Sequence, residues 1–146
     1  MSEVARIEGE IVIHRPIAEV FDFVSDERNE PRYNPQMISV EQLTPDPIGL
    51  GSQFRAQMKS GRATVPVLLE FNAFERPARL GSRSSFAGIV TDGQLTFEAL
   101  GDSTRMRWVW DVRPTGARKI FTALIALVGR RQEQRVWSQL KRRLEA

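Results

Sequence analysis

The sequence predicts an α+β domain in which short antiparallel strands form a sheet and one long helix ends the chain. Three observations predict this class. Residues 7–13 alternate apolar and polar side chains with a two-residue period, and the alternation returns in segment after segment up to residue 112. Short turns rich in Gly, Pro and Asp separate these segments, which favours hairpins over parallel crossovers. The last thirty residues instead carry apolar side chains at helical spacing.

The first predicted strand passes directly into a short helix. Pro16 suits the first position of a helix, because its fixed φ is helical and its missing N–H is no loss there. Asp22 and Asp26 lie off the apolar face of this helix. The residues of that face recur at three- and four-residue spacing: Ile17, Val20, Phe21 and Val24. A curved sheet with helices on its concave side encloses a cavity, and such cavities bind apolar molecules.

Six further segments are predicted as strands, and turn signals lie between them. Gly61, Gly88 and the Asp92-Gly93 pair are the clearest of these signals. Alternation in the last strand places Trp108 and Trp110 on one side. The predicted strands are residues 38–43, 53–59, 64–75, 80–87, 94–100 and 104–112.

The C-terminal helix, residues 117–146, has two apolar faces that point in roughly opposite directions. One consists of Ile120, Leu124, Leu127 and Val128, and the other of Trp137, Leu140 and Leu144. Either the helix bends near Gly129, or its two halves pack on different neighbours.

Composition sets the outer bounds of function. A chain of 146 residues with 41% hydrophobic content forms one domain over residues 1–146. It has no apolar run long enough for a transmembrane helix and no secretory signal, so a cytoplasmic protein is expected. Without cysteine it has no disulfide or thiolate chemistry. The bias of 18 Arg to 3 Lys suggests a GC-rich bacterial genome.

The net charge of +3 is unevenly distributed. Residues 117–146 hold eight Lys or Arg against two Glu. A basic helix can make weak contact with an anionic surface, but a solvated outer face is the simpler interpretation. No aromatic residues interleave with these charges as in single-strand binders, so no specific nucleic-acid partner is expected. The oligomeric state is left open.

The order of elements resembles the START-like, helix-grip superfamily, whose bacterial members are also called SRPBCC or polyketide cyclase/dehydrase-like and whose fold is of the Bet v 1 type. The resemblance rests on five segments that occur in order: IVIHRPIAEVFDFVSDERNEPRYNP, IGLGSQFR, EFNAFERPARL, LTFEALGDSTRMRW and LKRRLE. It implies a curved antiparallel sheet of six to seven strands around the long C-terminal helix, two short helices after the first strand, and an apolar pocket. It does not imply one activity, because relatives include lipid carriers, ligand binders and cyclases.

No constellation of residues predicts a catalytic or metal site. His14 is the only histidine, lies at the end of the first strand and has no orienting carboxylate evident in sequence, so it is interpreted as a surface or strand-end residue. With one His and no Cys, a metal site would need carboxylates almost alone, and none have ligand spacing. No phosphate loop or nucleophile elbow is present. Neither catalytic residues nor a cofactor are predicted.

The inward side chains of the strands and the long helix are the predicted ligand-binding residues. Most are apolar or aromatic, and Tyr33, Ser84 and Arg131 add polar groups; in similar proteins the corner at Tyr33 lies near the pocket mouth. The full set is Tyr33, Phe54, Met58, Leu69, Phe71, Ser84, Phe86, Leu95, Phe97, Met106, Trp108, Trp110, Leu124, Val128 and Arg131.

Three functions remain open. The first is binding of a small hydrophobic ligand, lipid-like or polycyclic, between the sheet and the C-terminal helix. The second is a cyclase or dehydratase that works by positioning a reactive chain in the same cavity, since orientation alone supplies several kcal/mol. The third is an interaction module that uses the basic helix. Added salt would steeply weaken association through the basic helix and would barely affect ligand binding in the cavity.

Overall fold

The computed structural model describes residues 4–116 and 122–146, and in them it confirms the predicted helix-grip fold. Helix α1 spans Ile17–Ser25, a 3₁₀ helix spans Glu27–Arg32, and helix α2 spans Thr122–Glu145. The sheet contains seven strands: β1 Ala5–Ile13, β2 Met37–Gln42, β3 Gln53–Ser60, β4 Ala63–Glu75, β5 Arg79–Phe86, β6 Ile89–Leu100 and β7 Ser103–Pro114.

All neighbouring strands in the sheet are antiparallel, in the order β1-β7-β6-β5-β4-β3-β2. Strands β2 to β7 follow one another as hairpins, whereas β1 pairs with β7, for example Ile7 with Trp110. The first and second strands therefore form opposite edges of the sheet. Helix α1 and the 3₁₀ helix connect these edges, and α2 packs mainly against β1.

Helix α1 forms as its amphipathic pattern predicts. The carbonyl of Pro16 accepts the N–H of Val20 at 3.1 Å, so the proline lies just before the first helical residue. The ring of Phe21 is fully buried and lies edge-on to Phe74 and Phe97. Asp22 lies off this face and makes an ion pair with Arg76 at 2.7 Å.

The two halves of α2 pack on different neighbours, which resolves the alternatives left open by the sequence. In the first half Ala126 packs with Ala5, Ile7 and Val112. In the second half Val136, Trp137 and Leu140 join the main core. The helix is continuous through Gly129, where a Cβ would lie 2.4 Å from Ile7 Cδ1. The glycine therefore permits close packing on β1.

The prediction that the apolar face of the first half of α2 points toward the cavity is wrong. Leu124 and Val128 are 56% and 57% exposed, and Leu127 is also exposed. Ile125 and Ala126 pack on the β1 side of the helix instead, and Gly129 lies close to Ile7 of β1. Ile120, which was assigned to the same face, falls outside the described residues.

The predicted basic surface of α2 is exposed where the structure describes it, at Arg130, Arg131, Arg135, Arg142 and Arg143. Arg118 and Lys119 fall outside the described residues. Lys141 is held inward, because its Nζ donates to the carbonyl of Val12 at 2.7 Å. Within residues 4–116 and 122–146, no helix is long and apolar enough to cross a membrane.

The Asp92-Gly93 pair, predicted as a turn, lies inside β6. That strand begins at Ile89, five residues earlier than the alternation indicated. The turn that precedes it is Ala87-Gly88, where both residues have positive φ. Gly93 is instead required by close approach to the neighbouring strand, since a Cβ there would lie 1.9 Å from the carbonyl oxygen of Val109.

Candidate functional site

A cavity of about 250 Å³ lies between the sheet and α2. The sheet contributes apolar side chains and three uncharged polar ones: Met37, Met58, Val67, Leu69, Phe71, Leu80, Ser82, Ser84, Phe86, Thr91, Leu95 and Trp110. The 3₁₀ helix, the residues after it and α2 contribute most of the polar groups: Glu27, Glu30, Asn34, Gln132 and Glu133, with Val136 and Trp137. The cavity is therefore apolar on the sheet side and polar on the helix side.

Seven of the predicted ligand-binding residues line this cavity: Met58, Leu69, Phe71, Ser84, Phe86, Leu95 and Trp110. The two-residue period of β5 explains one part of this set. Ser84 and Phe86 point inward with Ser82, whereas Arg83 and Ser85 are exposed on the outer face.

Five other predicted residues lie in the solid core and not on the cavity wall: Tyr33, Phe54, Phe97, Met106 and Trp108. The reason is ring packing. The ring centroid of Tyr33 lies 6.0 Å from that of Phe23 and 5.9 Å from that of Trp137. The indole of Trp108 packs on Trp137 at 6.1 Å. Neighbouring rings occupy the space around these side chains, so they pack behind the residues that line the cavity.

The structure does not bring Leu124, Val128 or Arg131 to the cavity, because all three are exposed on the outer side of α2. Gln132 and Glu133 take the inward positions next to them. This changes the electrostatics of the site, since the predicted inward cation is replaced by a carboxyl group.

Glu133 lines the cavity together with the indoles of Trp110 and Trp137. Its Oε2 accepts the N–H of Trp137 at 2.6 Å. Burial raises the pKa of Glu133 to about 7, opposed by the N–H groups of Trp110 and Trp137, which favour the charged form. The buried Nε1 of Trp110 nevertheless makes no hydrogen bond of regular geometry within the described part of the chain. Glu133 is therefore poised to exchange a proton near neutral pH.

Glu27 and Glu30 form a second acidic group on the 3₁₀ helix. They are three residues apart, which places them on the same side of a helix with three residues per turn. The two carboxyls share a hydrogen bond, and Asn34 Nδ2 donates to Glu30 Oε2 at 3.1 Å. Burial raises the pKa of both, and the charge of Glu30 adds to the effect on Glu27. Both carboxyls of the pair are therefore protonated more readily than a solvated glutamate.

The local sequence fixes the position of this acidic pair. The Asp26 carboxylate accepts the backbone N–H of Arg28 at 3.1 Å and caps the 3₁₀ helix. Tyr33 closes its other end, with its N–H donating to the Glu30 carbonyl. Burial, reinforced by the charge of Glu30, raises the pKa of Tyr33 well above its ordinary value, so its phenol stays neutral.

Each of the three glutamates keeps part of its surface accessible because each lines the cavity. The protein that surrounds the carboxyls still removes them from most bulk water and raises their pKa values. None of the three was predicted from the sequence. A signal for one exists, since Glu133 precedes Trp137, Leu140 and Leu144 at spacings of four, three and four residues and so belongs to their helix face.

The only histidine lies away from the cavity. His14 is exposed, its Nδ1 is 3.1 Å from Ser103 Oγ, and its backbone N–H donates to Glu145. Among the residues that the structure describes, no group of three or more His, Cys, Asp or Glu is arranged to hold a metal ion.

Comparison with known proteins agrees with the fold. Residues 4–145 match the family described as polyketide cyclase / dehydrase and lipid transport. Curated sequences give no match. An aromatase/cyclase from Streptomyces sp. R1128 has a similar structure, with a TM-score of 0.81 and 12% identity over 97% of this chain and 94% of that chain.

Two further solved structures are similar over almost their whole length. A START superfamily protein from Mycobacterium smegmatis has a TM-score of 0.78 and 16% identity over 96% of this chain and 97% of that chain. A protein from Thermus thermophilus has a TM-score of 0.79 and 17% identity over 94% of this chain and 95% of that chain. At these identities the similarity establishes the fold alone.

Proposed function

The chain belongs to the polyketide cyclase/dehydrase and lipid transport family, and on this premise we propose that its cavity binds one small apolar molecule. The observation that carries the proposal is the cavity itself, about 250 Å³ between the sheet and α2. Its sheet side consists mainly of aliphatic and aromatic side chains, with a few polar groups opposite. Apolar walls with a few fixed polar groups are typical of small-molecule sites.

The volume of the cavity favours a compact ligand. Drug-sized ligands occupy sites of about 300–1,000 Å³, and this cavity lies just below that range. One or two fused rings, or a short branched chain, suit it better than a long acyl chain or a polycyclic product. The proposal therefore narrows the lipid-like or polycyclic class to its smaller members.

Filling the cavity from β5 tests the proposal. Ser84 lines the cavity and Ser85 is exposed on the outer face of the same strand. Ser84→Leu is expected to weaken binding of the neutral fluorescent probe N-phenyl-1-naphthylamine about tenfold or more, because the added side chain occupies ligand volume. Ser85→Leu adds the same side chain outside and is expected to leave the affinity unchanged.

Circular dichroism establishes that both variants are folded before the fluorescence titrations are compared. Equal probe affinity for Ser84→Leu and the wild-type protein would contradict the proposal. Weakening by Ser85→Leu alone would place the probe on the outer face of the sheet and contradict it as well.

The acidic groups favour a second candidate function, that of a cyclase or dehydratase. Such an enzyme needs an acid and a base near its substrate, and a carboxyl that titrates near neutral pH is effective in either role. Glu133 and the Glu27–Glu30 pair supply these groups in the cavity. Among the compared structures, one with the same fold is an aromatase/cyclase. This candidate would be favoured if the wild-type protein converts a bound ketone and Glu133→Gln still binds the ketone but no longer converts it.

A further inference from the structure

The polar side of the cavity carries acidic groups and no basic ones. Glu27, Glu30 and Glu133 all line it, and none of the lining residues, all in the described part of the chain, is Lys, Arg or His. Nearby cations are directed elsewhere: Arg28 pairs with Asp26 at 2.8 Å, and Arg131 and Arg135 are exposed. The negative charge of the cavity is therefore not neutralised by the protein itself.

The pKa values of the three carboxyls agree with this arrangement. A nearby cationic side chain would lower the pKa of a buried carboxyl. All three are raised, and within the described residues no Lys, Arg or His contributes to the pKa of any of them. None of the three therefore has a cationic partner, within the described residues, that would stabilise its charged form.

Glu133 is also surrounded by aromatic surface. Trp110 of β7 and Trp137 of α2 line the cavity together with it, and Trp137 Nε1 donates to its Oε2 at 2.6 Å. The remaining titratable groups that influence it come from the 3₁₀ helix and its end, namely Glu30 and Tyr33. A carboxylate next to indole rings is a suitable receptor for an organic ammonium group, which gains from both the charge and the ring quadrupole.

From this juxtaposition we infer that the ligand is an apolar molecule bearing a protonated amine, whose ammonium group lies against Glu133 and the Glu27–Glu30 pair while its apolar body lies against the sheet. The inference rests on the proposed function and specifies its ligand class. It implies that an apolar carboxylate, such as a free fatty acid, binds weakly, because it would place a second negative charge among the glutamates. A metal ion is a poorer candidate, since the described carboxyls do not form a metal-holding group.

Three naphthyl probes of similar size separate the effect of charge from that of the apolar body. 1-Naphthylmethylamine is a cation, 1-naphthylmethanol is neutral and 1-naphthoate is an anion at about pH 7.5. Isothermal titration calorimetry is expected to give an affinity at least about tenfold higher for the amine than for the alcohol, which is typical of a charge-assisted hydrogen bond. The carboxylate is expected to bind weakest of the three.

The pH dependence identifies the group that holds the amine. Glu133 must be ionised to pair with it, so the ratio of amine to alcohol affinity is expected to fall several-fold between about pH 7.5 and about pH 5.5 as that carboxyl takes up a proton. Glu133→Gln should lower the ratio more than any other single substitution and remove most of its change between these pH values. Glu30→Gln is a second variant, expected to lower the ratio in part. Glu41→Gln removes an exposed carboxyl on β2 and should leave the ratio unchanged.

The outcomes separate the inference from the proposed function. Equal affinities for amine and alcohol would overturn the inference and leave the proposed function standing. A preference for the amine that survives in both Glu133→Gln and Glu30→Gln would also overturn it, because the amine would then be bound elsewhere. Failure of all three probes to bind would overturn both.

Discussion

Gly93→Ala is expected to destabilise the protein by about 3 kcal/mol or more, a larger effect than that of an ordinary surface substitution. Gly93 lies in β6 opposite Trp110 of β7. A Cβ at this position would lie 1.9 Å from the carbonyl oxygen of Val109 and 2.7 Å from the ring carbon Cε3 of Trp110. The first contact is with backbone, so it can be relieved only by moving the two strands apart.

Urea denaturation measures the effect as a change in the free energy of unfolding. Gly49→Ala is the matched control, because nothing lies within 4 Å of the Cβ it would add. The control is expected to change stability by less than about 0.5 kcal/mol. A Gly93→Ala variant as stable as the control would show that β6 and β7 are not packed as closely as the structure indicates. Because Trp110 lines the cavity, a folded Gly93→Ala protein should also bind apolar probes poorly.

Glu133→Gln is expected to make the protein more stable than the wild type at about pH 8, by on the order of 1–3 kcal/mol. The pKa of Glu133 is raised from 4.5 to about 7 in the folded protein. Between these two values the folded state binds more protons than the unfolded chain, so the free energy of unfolding falls as pH rises. Gln cannot ionise, and the variant avoids this loss. Below pH 4.5 the carboxyl is protonated in both states, so the advantage disappears there.

Thermal or urea unfolding from pH 4.5 to about pH 8 tests the prediction. The quantity compared is the difference in the free energy of unfolding between the variant and the wild type. Groups that do not interact with Glu133 titrate alike in both proteins, so their contributions cancel in that difference. The exposed Glu41→Gln substitution is expected to show no comparable divergence. A difference between Glu133→Gln and the wild type that stays constant from pH 4.5 to about pH 8 would show that Glu133 is not buried next to the cavity.

The strands and α1 could be predicted from sequence because each has one buried and one exposed face. Two-residue alternation located every strand of the sheet, and three- and four-residue spacing located α1 with Val20 and Phe21 buried. The start of β6 could not be predicted in this way. Asp92-Gly93 has turn composition, and only the tertiary contact of Gly93 with Val109 explains a glycine inside a strand.

The packed face of α2 was mispredicted for a related reason. The hydrophobic pattern favoured Leu124 and Val128, but Ile125 and Ala126 pack on the β1 side and Gly129 lies close to Ile7 of β1. Side-chain size at a helix crossing depends on the distance between the backbones. A single sequence does not contain that distance.

The acidic side of the cavity illustrates what sequence reasoning omits. Polar residues such as Glu27 and Glu30 are normally assigned to solvent, since burial of a carboxyl is unfavourable without a partner. Here they are turned inward by a 3₁₀ helix that Asp26 caps and that leads to the buried Tyr33. From the inward aromatic residues the sequence predicts an apolar pocket, whereas the pocket in the structure has one acidic side.

The central claim, that the cavity between the sheet and α2 holds a small apolar molecule, is tested most directly by NMR of the three tryptophans. Trp110 and Trp137 line the cavity, and Trp108 lies in the core behind it. Addition of 1-naphthylmethanol should shift the ¹H–¹⁵N indole signals of Trp110 and Trp137, assigned through Trp→Phe substitutions, and shift that of Trp108 least. Unchanged indole signals at saturating probe would contradict the claim.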